Sequence, residues 1–371
     1  MPKPIPTPTR THPALTHRFS IPNRLFQSIY SISIFRAVIN LTLVPVFSFR
    51  TLLGGLALGV RDVILGKPEV GREVQGVGMR ELCEDESYGK HELATVNNVT
   101  LHYVTKGTGP LLLFLHGFPE CWYMWTPLLS HFTATHTCVA LDMRGYGLSD
   151  KPAGISPYHI TELVTDVREL VKHLGHDKFH LVAHDWGGAI AWEYAHIHPD
   201  TLSSLTILNA PHFRTFNANM TPHQLWMSWY MFLHQIPAIP EWLYTRDGGD
   251  RFFDGAFEGV QTERVGENKV VYRAALMVPG AMRAAVTYYR AIYAARGRDL
   301  KWREVVEVPT LVVWGEKDPA LDMEVNLAGL QNRFPNIEVA SIPGCGHFVV
   351  DEQPEIVTAL LDEHLKKNGG K

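Results

Sequence analysis

The stretch His180-Leu181-Val182-Ala183-His184-Asp185-Trp186-Gly187-Gly188 decides the fold. It runs from an apolar strand through small residues into a helix, in the order small-x-nucleophile-x-small. That is the layout of a nucleophile elbow, a sharp strand-to-helix turn that lifts one side chain above the sheet. Small neighbours leave room for the turn against the helix that follows. The lifted residue is Asp185. A carboxylate nucleophile displaces at carbon and becomes an ester, which water must then cleave. The alternative role for Asp185 is a helix N-cap.

Working outward, strand and helix patterns alternate. Val96 to Val104 reads as a hairpin around Asn97-Asn98. Leu111–Leu115 and Cys138–Leu141 are short apolar runs, as strands buried on both faces require. Ile160, Leu163, Val164, Val167, Leu170, Val171 and Leu174 recur at helical spacing. Strands are expected at Phe179–Ala183, Leu205–Leu208, Thr310–Trp314 and Val339–Ile342. The alternation predicts an α/β architecture with a mostly parallel, doubly wound sheet.

Between Pro211 and about Arg298 the strand pattern stops and aromatics at helical spacing take over, including Trp226, Trp229, Tyr230, Phe232, Tyr288, Tyr289 and Tyr293. This reads as a helical cap over the carboxyl ends of the strands, where such sheets bind ligands. The expected organisation is a leader at 1–90, a first core part at 91–212, the cap at 213–298 and a second core part at 299–371.

Three further constellations would converge on Asp185. Cys345-Gly346-His347 follows the last strand, and His347 is the candidate base for the ester-cleaving water. Trp314-Gly315-Glu316-Lys317-Asp318 follows the strand before it. An acid there would accept the His347 Nδ1 proton; Asp318 is preferred, with Glu316 and Asp322 as competitors. Leu115-His116-Gly117-Phe118-Pro119-Glu120 follows the first buried strand. The backbone N–H of Phe118, with that of Trp186, would form an oxyanion hole for hydrolysis of the ester. The chain order nucleophile, acid, histidine fits these assignments.

With these motifs in order, and with Asp142-Met143-Arg144-Gly145-Tyr146-Gly147, the chain resembles the epoxide hydrolases of the α/β-hydrolase fold over about residues 95–360. The resemblance implies two cap tyrosines that hold the epoxide oxygen. A Tyr-x-x-x-x-Gln-x-Pro motif is met by Tyr230 through Pro237. An aromatic-Tyr-Arg run is met by Tyr288-Tyr289-Arg290, with Tyr289 the better match. It implies a vicinal diol product. Ala183 stands where many relatives have Gly. The alternatives are a haloalkane dehalogenase of the same fold and a non-catalytic relative that only binds lipophilic ligands.

Composition bounds the remaining functions. The chain has 371 residues, 46% hydrophobic and 19% charged, enough for a large core. A net charge of -4 gives no general reason to bind nucleic acid. Cys83, Cys121, Cys138 and Cys345 are scattered and read as reduced thiols. No His/Cys cluster has metal-ligand spacing, and no phosphate loop or dinucleotide fingerprint occurs, so no cofactor or metal is called for. The partner expected is an apolar, small-molecule epoxide.

The leader differs from the rest. Its first residues are rich in Pro and Thr, and Ile29 to Gly66 is largely apolar. The longest uncharged run, Ala37–Phe49, is only about 13 residues, whereas a spanning helix needs about 20. Arg50 interrupts any longer span. An interfacial or re-entrant anchor fits as well as a span, and membrane-anchored animal epoxide hydrolases also carry apolar leaders. The expectation is membrane association, with the endoplasmic reticulum the candidate compartment and the cytoplasm the alternative.

Overall fold

A computed structural model describes residues 9–10, 81, 85–260, 262–292 and 300–368. The apolar leader, Cys83 and the cap residue Tyr293 therefore lie outside the described residues. Among those described, no helix is long and apolar enough to cross a membrane.

Among the described residues, eight strands form the body of one sheet: β1 (Lys90–Val96), β2 (Val99–Lys106), β3 (Leu111–Leu115), β4 (Thr137–Leu141), β5 (Phe179–His184), β6 (Leu202–Leu208), β7 (Thr310–Gly315) and β8 (Ile337–Ile342). Their order is β8-β7-β6-β5-β3-β4-β2-β1. From β3 onward neighbours run parallel, while β2 lies antiparallel to both β1 and β4. The two-residue strand Thr9–Arg10 pairs antiparallel with β8 at the far edge.

The β1–β2 hairpin turns at Asn97 (φ 46°) and Asn98 (φ 60°), the left-handed pair a two-residue hairpin demands and Asn tolerates. Strands β3 and β5 are buried at every residue, which explains the unbroken apolar run of β3 and the largely apolar one of β5, where His180 and His184 are the polar exceptions.

The strand order places the site. The chain moves outward from β3 to β4 through α1 (Thr126–Phe132), then returns past β3 to β5 through α2 (Ile160–His173). Right-handed crossovers in opposite directions put successive helices on opposite faces. They also open a crevice where the direction reverses, above the carboxyl ends of β3 and β5. Helix α3 (Asp185–Ile197) starts there and packs against α2.

Among the described residues, seven helices separate β6 from β7: α4 (Phe213–Ala218), α5 (Pro222–Met227), α6 (Trp229–Leu233), α7 (Ile239–Thr245), α8 (Asp250–Ala256), α9 (Glu263–Met277) and α10 (Ala281–Ala291). After the cap come α11 (Met323–Leu327), α12 (Val349–Glu352) and α13 (Pro354–Asn368), the last packing on α1.

Candidate active site

Asp185 opens α3 with φ 47°. A non-glycine residue in this region costs about 1–2 kcal/mol, so its surroundings must hold it there. They do so with glycines on three sides. A Cβ added at Gly117 would fall 2.4 Å from the Asp185 Cβ. At Gly187 it would meet the Leu115 carbonyl at 2.4 Å, and at Gly188 the Ala210 Cβ at 2.2 Å. The small residues thus serve contacts with the ends of β3 and β6 as much as with the helix. Gly187 N donates to the His116 carbonyl at 3.0 Å, which pins the elbow to the loop after β3. That loop aims Phe118 N at Asp185 Oδ1, 2.9 Å away.

His347 sits on the loop after β8. Its Nδ1 lies 2.7 Å from Asp318 Oδ2, and its Nε2 lies 3.6 Å from Asp185 Oδ2. The two competitors of Asp318 are engaged elsewhere: Glu316 accepts from the Ser341 hydroxyl, and Asp322 caps α11 through Val325 N. Asp318 is itself fixed. Its Oδ1 accepts from Ala320 N (2.8 Å) and Leu321 N (2.9 Å), and Oδ2 also accepts from Asn209 Nδ2 at 2.7 Å. Asn209, just past β6, uses its own Oδ1 to accept from Gly315 N at 2.9 Å. It ties the ends of β6 and β7 together under Asp318, a role that no motif assigns.

The site keeps an opening, with the Asp185 side chain 16% exposed and that of His347 9%. Burial works to raise the Asp185 pKa, but the neighbouring His347, then His184 and the Phe118 N–H, hold it below the ordinary carboxylate value. Burial works to lower the His347 pKa, yet the charges of Asp318 and Asp185 lift it well above the usual imidazole value. Asp185 and Asp318 flank the His347 ring and favour its charged form.

A second histidine supports the first. His184 Nε2 donates to the His347 carbonyl at 2.9 Å, and its Nδ1 meets Glu120 Oε2 at 2.7 Å. Both ring nitrogens face acceptor oxygens. Burial disfavours the charged ring, but Glu120 outweighs it and raises the His184 pKa. Glu120 and His184 stand inside the motifs quoted above, without a role assigned from sequence.

The cap brings Tyr289 onto the elbow and packs Tyr230 against Tyr289. Tyr289 on α10 packs edge-on against Trp186, with ring centroids 5.0 Å apart, and lies 5.8 Å from Phe118. Tyr230 on α6 meets Tyr289 at 5.9 Å with perpendicular rings. Burial first, then the Asp185 charge, raises the Tyr289 pKa well above that of a free phenol, so its proton is retained. The Tyr288 ring also packs on Trp186, at 5.3 Å, but its hydroxyl donates to the Arg144 carbonyl at 2.6 Å.

The sequence motifs around the tyrosines have a mechanical basis. Gln235 Nε2 donates to the carbonyls of Met231 and Tyr289, both at 3.0 Å, which joins the α6 end to α10. Arg290 donates to the carbonyls of His234 and Ile236 and pairs with Glu241. The Asp142 motif is structural. Asp142 accepts from His102, Trp122 N and Leu148 N, and a Cβ at Gly147 would lie 2.0 Å from its Oδ2. Among the described residues no group of three His, Cys, Asp or Glu side chains could hold a metal ion.

Comparison with known proteins agrees with this geometry. A family model described as alpha/beta hydrolase fold matches residues 110–250 and 261–354. Epoxide hydrolase 1 of Caenorhabditis elegans is 37% identical over 282 residues, 73% of this chain and 68% of the relative. The solved epoxide hydrolase of Bacillus megaterium, in complex with an inhibitor, is 31% identical with a TM-score of 0.66, covering 74% of this chain and all of that one. A fluoroacetate dehalogenase of Burkholderia sp is 33% identical over 296 residues, 74% of this chain and 93% of the relative. The carboxylate at the elbow, the two cap phenols and these likenesses agree: the chain belongs to the epoxide hydrolases of the α/β-hydrolase fold.

Proposed function

We propose that Asp185, His347 and Asp318, with Tyr230 and Tyr289, convert an apolar epoxide to a vicinal diol through an ester on Asp185. The observation that best supports this reading is the packing of Tyr289 on the elbow, with Tyr230 against it, beside a carboxylate that is already paired with a histidine. The phenols donate to the oxirane oxygen. Asp185 Oδ2 attacks a ring carbon, the carbon–oxygen bond breaks, and one phenol gives its proton to the alkoxide. Oδ1, held by Phe118 N, becomes the ester carbonyl oxygen.

Esterification removes the Asp185 charge, and with it part of what keeps His347 protonated. The imidazolium can then return a proton to the phenolate, which leaves a neutral base facing the ester. His347 takes a proton from water as the water attacks Cγ. The oxyanion develops on Oδ1 beside Phe118 N, with the Trp186 amide as the expected second donor. Expulsion of the diol restores the carboxylate and the imidazolium, so the proton balance closes over one turnover. The aromatic surround of Phe118, Trp186, Phe252 and Phe213 favours an apolar substrate.

A single turnover in heavy-oxygen water tests the ester. The first diol should carry light oxygen from Asp185; label entering the first diol at once would contradict it. A dehalogenase reading predicts halide release from haloacids or chloroalkanes and no diol from styrene oxide. The apolar stretch within 29–66 supports a further proposal, that the leader contacts a membrane. Vesicle flotation of the full chain, lost on removing residues 1–80, tests that separately.

A further inference from the structure

Four residues beyond His347, two adjacent acids face in different directions. Glu352 turns back onto the histidine loop. Its Oε2 accepts from Gly346 N at 2.7 Å and its Oε1 from Phe348 N at 3.1 Å, so the carboxylate grips the amides on either side of His347. The glycines of this loop make room for the grip. A Cβ at Gly346 would lie 2.9 Å from Glu352 Oε1, and one at Gly315 would lie 1.9 Å from the Gly346 carbonyl.

Asp351 faces the cap. Its Oδ1 accepts from Asn268 Nδ2 at 2.7 Å and its Oδ2 from the Tyr272 hydroxyl at 2.8 Å, both on α9. The Thr262 hydroxyl, which caps α9, donates to the Asp351 carbonyl at 3.2 Å. Arg264 approaches the same carboxylate at 3.4 Å and reaches the core at Thr126 Oγ1. Beside them Phe348 stacks on the cap residue Phe257 at 4.1 Å. The short helix α12 thus joins the longest cap helix to the backbone of the catalytic loop.

We propose that Asp351 and Glu352 are positioning residues for His347: Glu352 fixes the loop that presents the imidazole, and Asp351 couples that loop to the seating of α9. The inference rests on the ester mechanism above. Alkylation needs Asp185 and the phenols, which sit on α3, α6 and α10. Ester hydrolysis needs His347 to aim a water at Cγ, and a displacement of about 1 Å in such a group can cost about a hundredfold. Loosening α12 should therefore slow the second half-reaction and spare the first.

The test is rapid-quench mass spectrometry of the full chain with styrene oxide, reading ester formation and ester decay separately. Glu352→Gln keeps the length but sets an amide NH2 against a backbone N–H. It should leave the alkylation rate within about threefold and slow ester decay about tenfold or more, so that ester accumulates. Tyr272→Phe removes one donor to Asp351 from the cap side with little change in volume. It should slow ester decay in the same direction, and the Glu352→Gln/Tyr272→Phe double variant should be less impaired than the product of the singles, because both act through α12. Equal slowing of both half-reactions in Glu352→Gln and Tyr272→Phe, or an unchanged decay rate, overturns the inference. Failure of the wild type to form any ester sinks the mechanism beneath it instead, and the two failures are distinguishable in one experiment.

Discussion

His347 Nε2 lies 3.6 Å from Asp185 Oδ2, near enough for strong attraction between charges and longer than a hydrogen bond. Each group shifts the other, Asp185 downward and His347 upward, after burial has pushed both the opposite way. Asp185 and His347 are therefore electrostatically coupled, and a change of charge on the first shifts the second.

That relationship predicts a measurable titration. Asp185→Asn imitates the neutral ester without its alkyl group. Deleting a negative charge destabilises the imidazolium, so the His347 pKa should fall relative to the wild type. A ring-proton NMR titration of His347 reads the change. In kinetics, the ester-decay rate should rise with pH through this lowered pKa. An unchanged His347 titration in Asp185→Asn would exclude the coupling.

The phenols make a second prediction, with Tyr288 as the internal control. Tyr289→Phe and Tyr230→Phe should each slow ester formation by roughly 10²- to 10⁴-fold, the usual contribution of a placed proton donor. Tyr288→Phe leaves the Arg144 carbonyl without its partner at 2.6 Å. It should lower stability by about 1–2 kcal/mol, read by denaturant unfolding, with ester formation near the wild-type rate.

The glycines at the elbow make a third. Gly117→Ala forces a methyl group to within 2.4 Å of the Asp185 Cβ. Overpacking of this kind costs about 1–3 kcal/mol, and relief would displace the nucleophile, so ester formation should fall with stability. Gly255→Ala places its methyl in open space on α8 and should stabilise by about 0.5–1 kcal/mol through helix propensity, with turnover unchanged. Thermal melts and initial rates on both variants separate the two cases.

Much of this site is local in sequence and was legible there. The elbow and the Asp318 turn each follow a strand whose largely apolar run announces it, and the His347 loop follows the mixed strand Ile337–Ile342. The strand order then brings their ends to one crevice. Asn209 was not legible: its partners Asp318 and Gly315 stand far along the chain, and a lone Asn after a strand has many uses. The partner of Tyr288 was not legible either: its hydroxyl donates to the Arg144 carbonyl, far away in the chain. Glu352 is similarly silent, because an acid near the start of a helix is ordinary until it is seen gripping two amides. The fixed sheet also explains why strand bounds moved by only a residue or so at Phe179–His184 and further at Leu202–Leu208, whose polar start hid the early pairings.

The last prediction concerns stability against pH. Asp351 is buried near Glu120, and burial first, then the Glu120 charge, pushes its pKa up to about 7, against the opposing pull of Arg264 and the hydrogen bonds from Tyr272 and Asn268. An unfolded aspartate titrates near about 3.9. Between those values the folded chain holds a proton that the unfolded chain has lost. Stabilisation from this group is thus fully present below the unfolded value and is lost as pH rises through about 7. Between pH 6 and 8 the loss should be about 1 kcal/mol. Asp351→Asn cannot ionise, so its unfolding free energy should lack that part of the slope while keeping whatever the other groups contribute. Urea unfolding of both proteins at several pH values measures the difference. Parallel slopes would mean that Asp351 stays ionised in the fold, with Arg264 outweighing its burial.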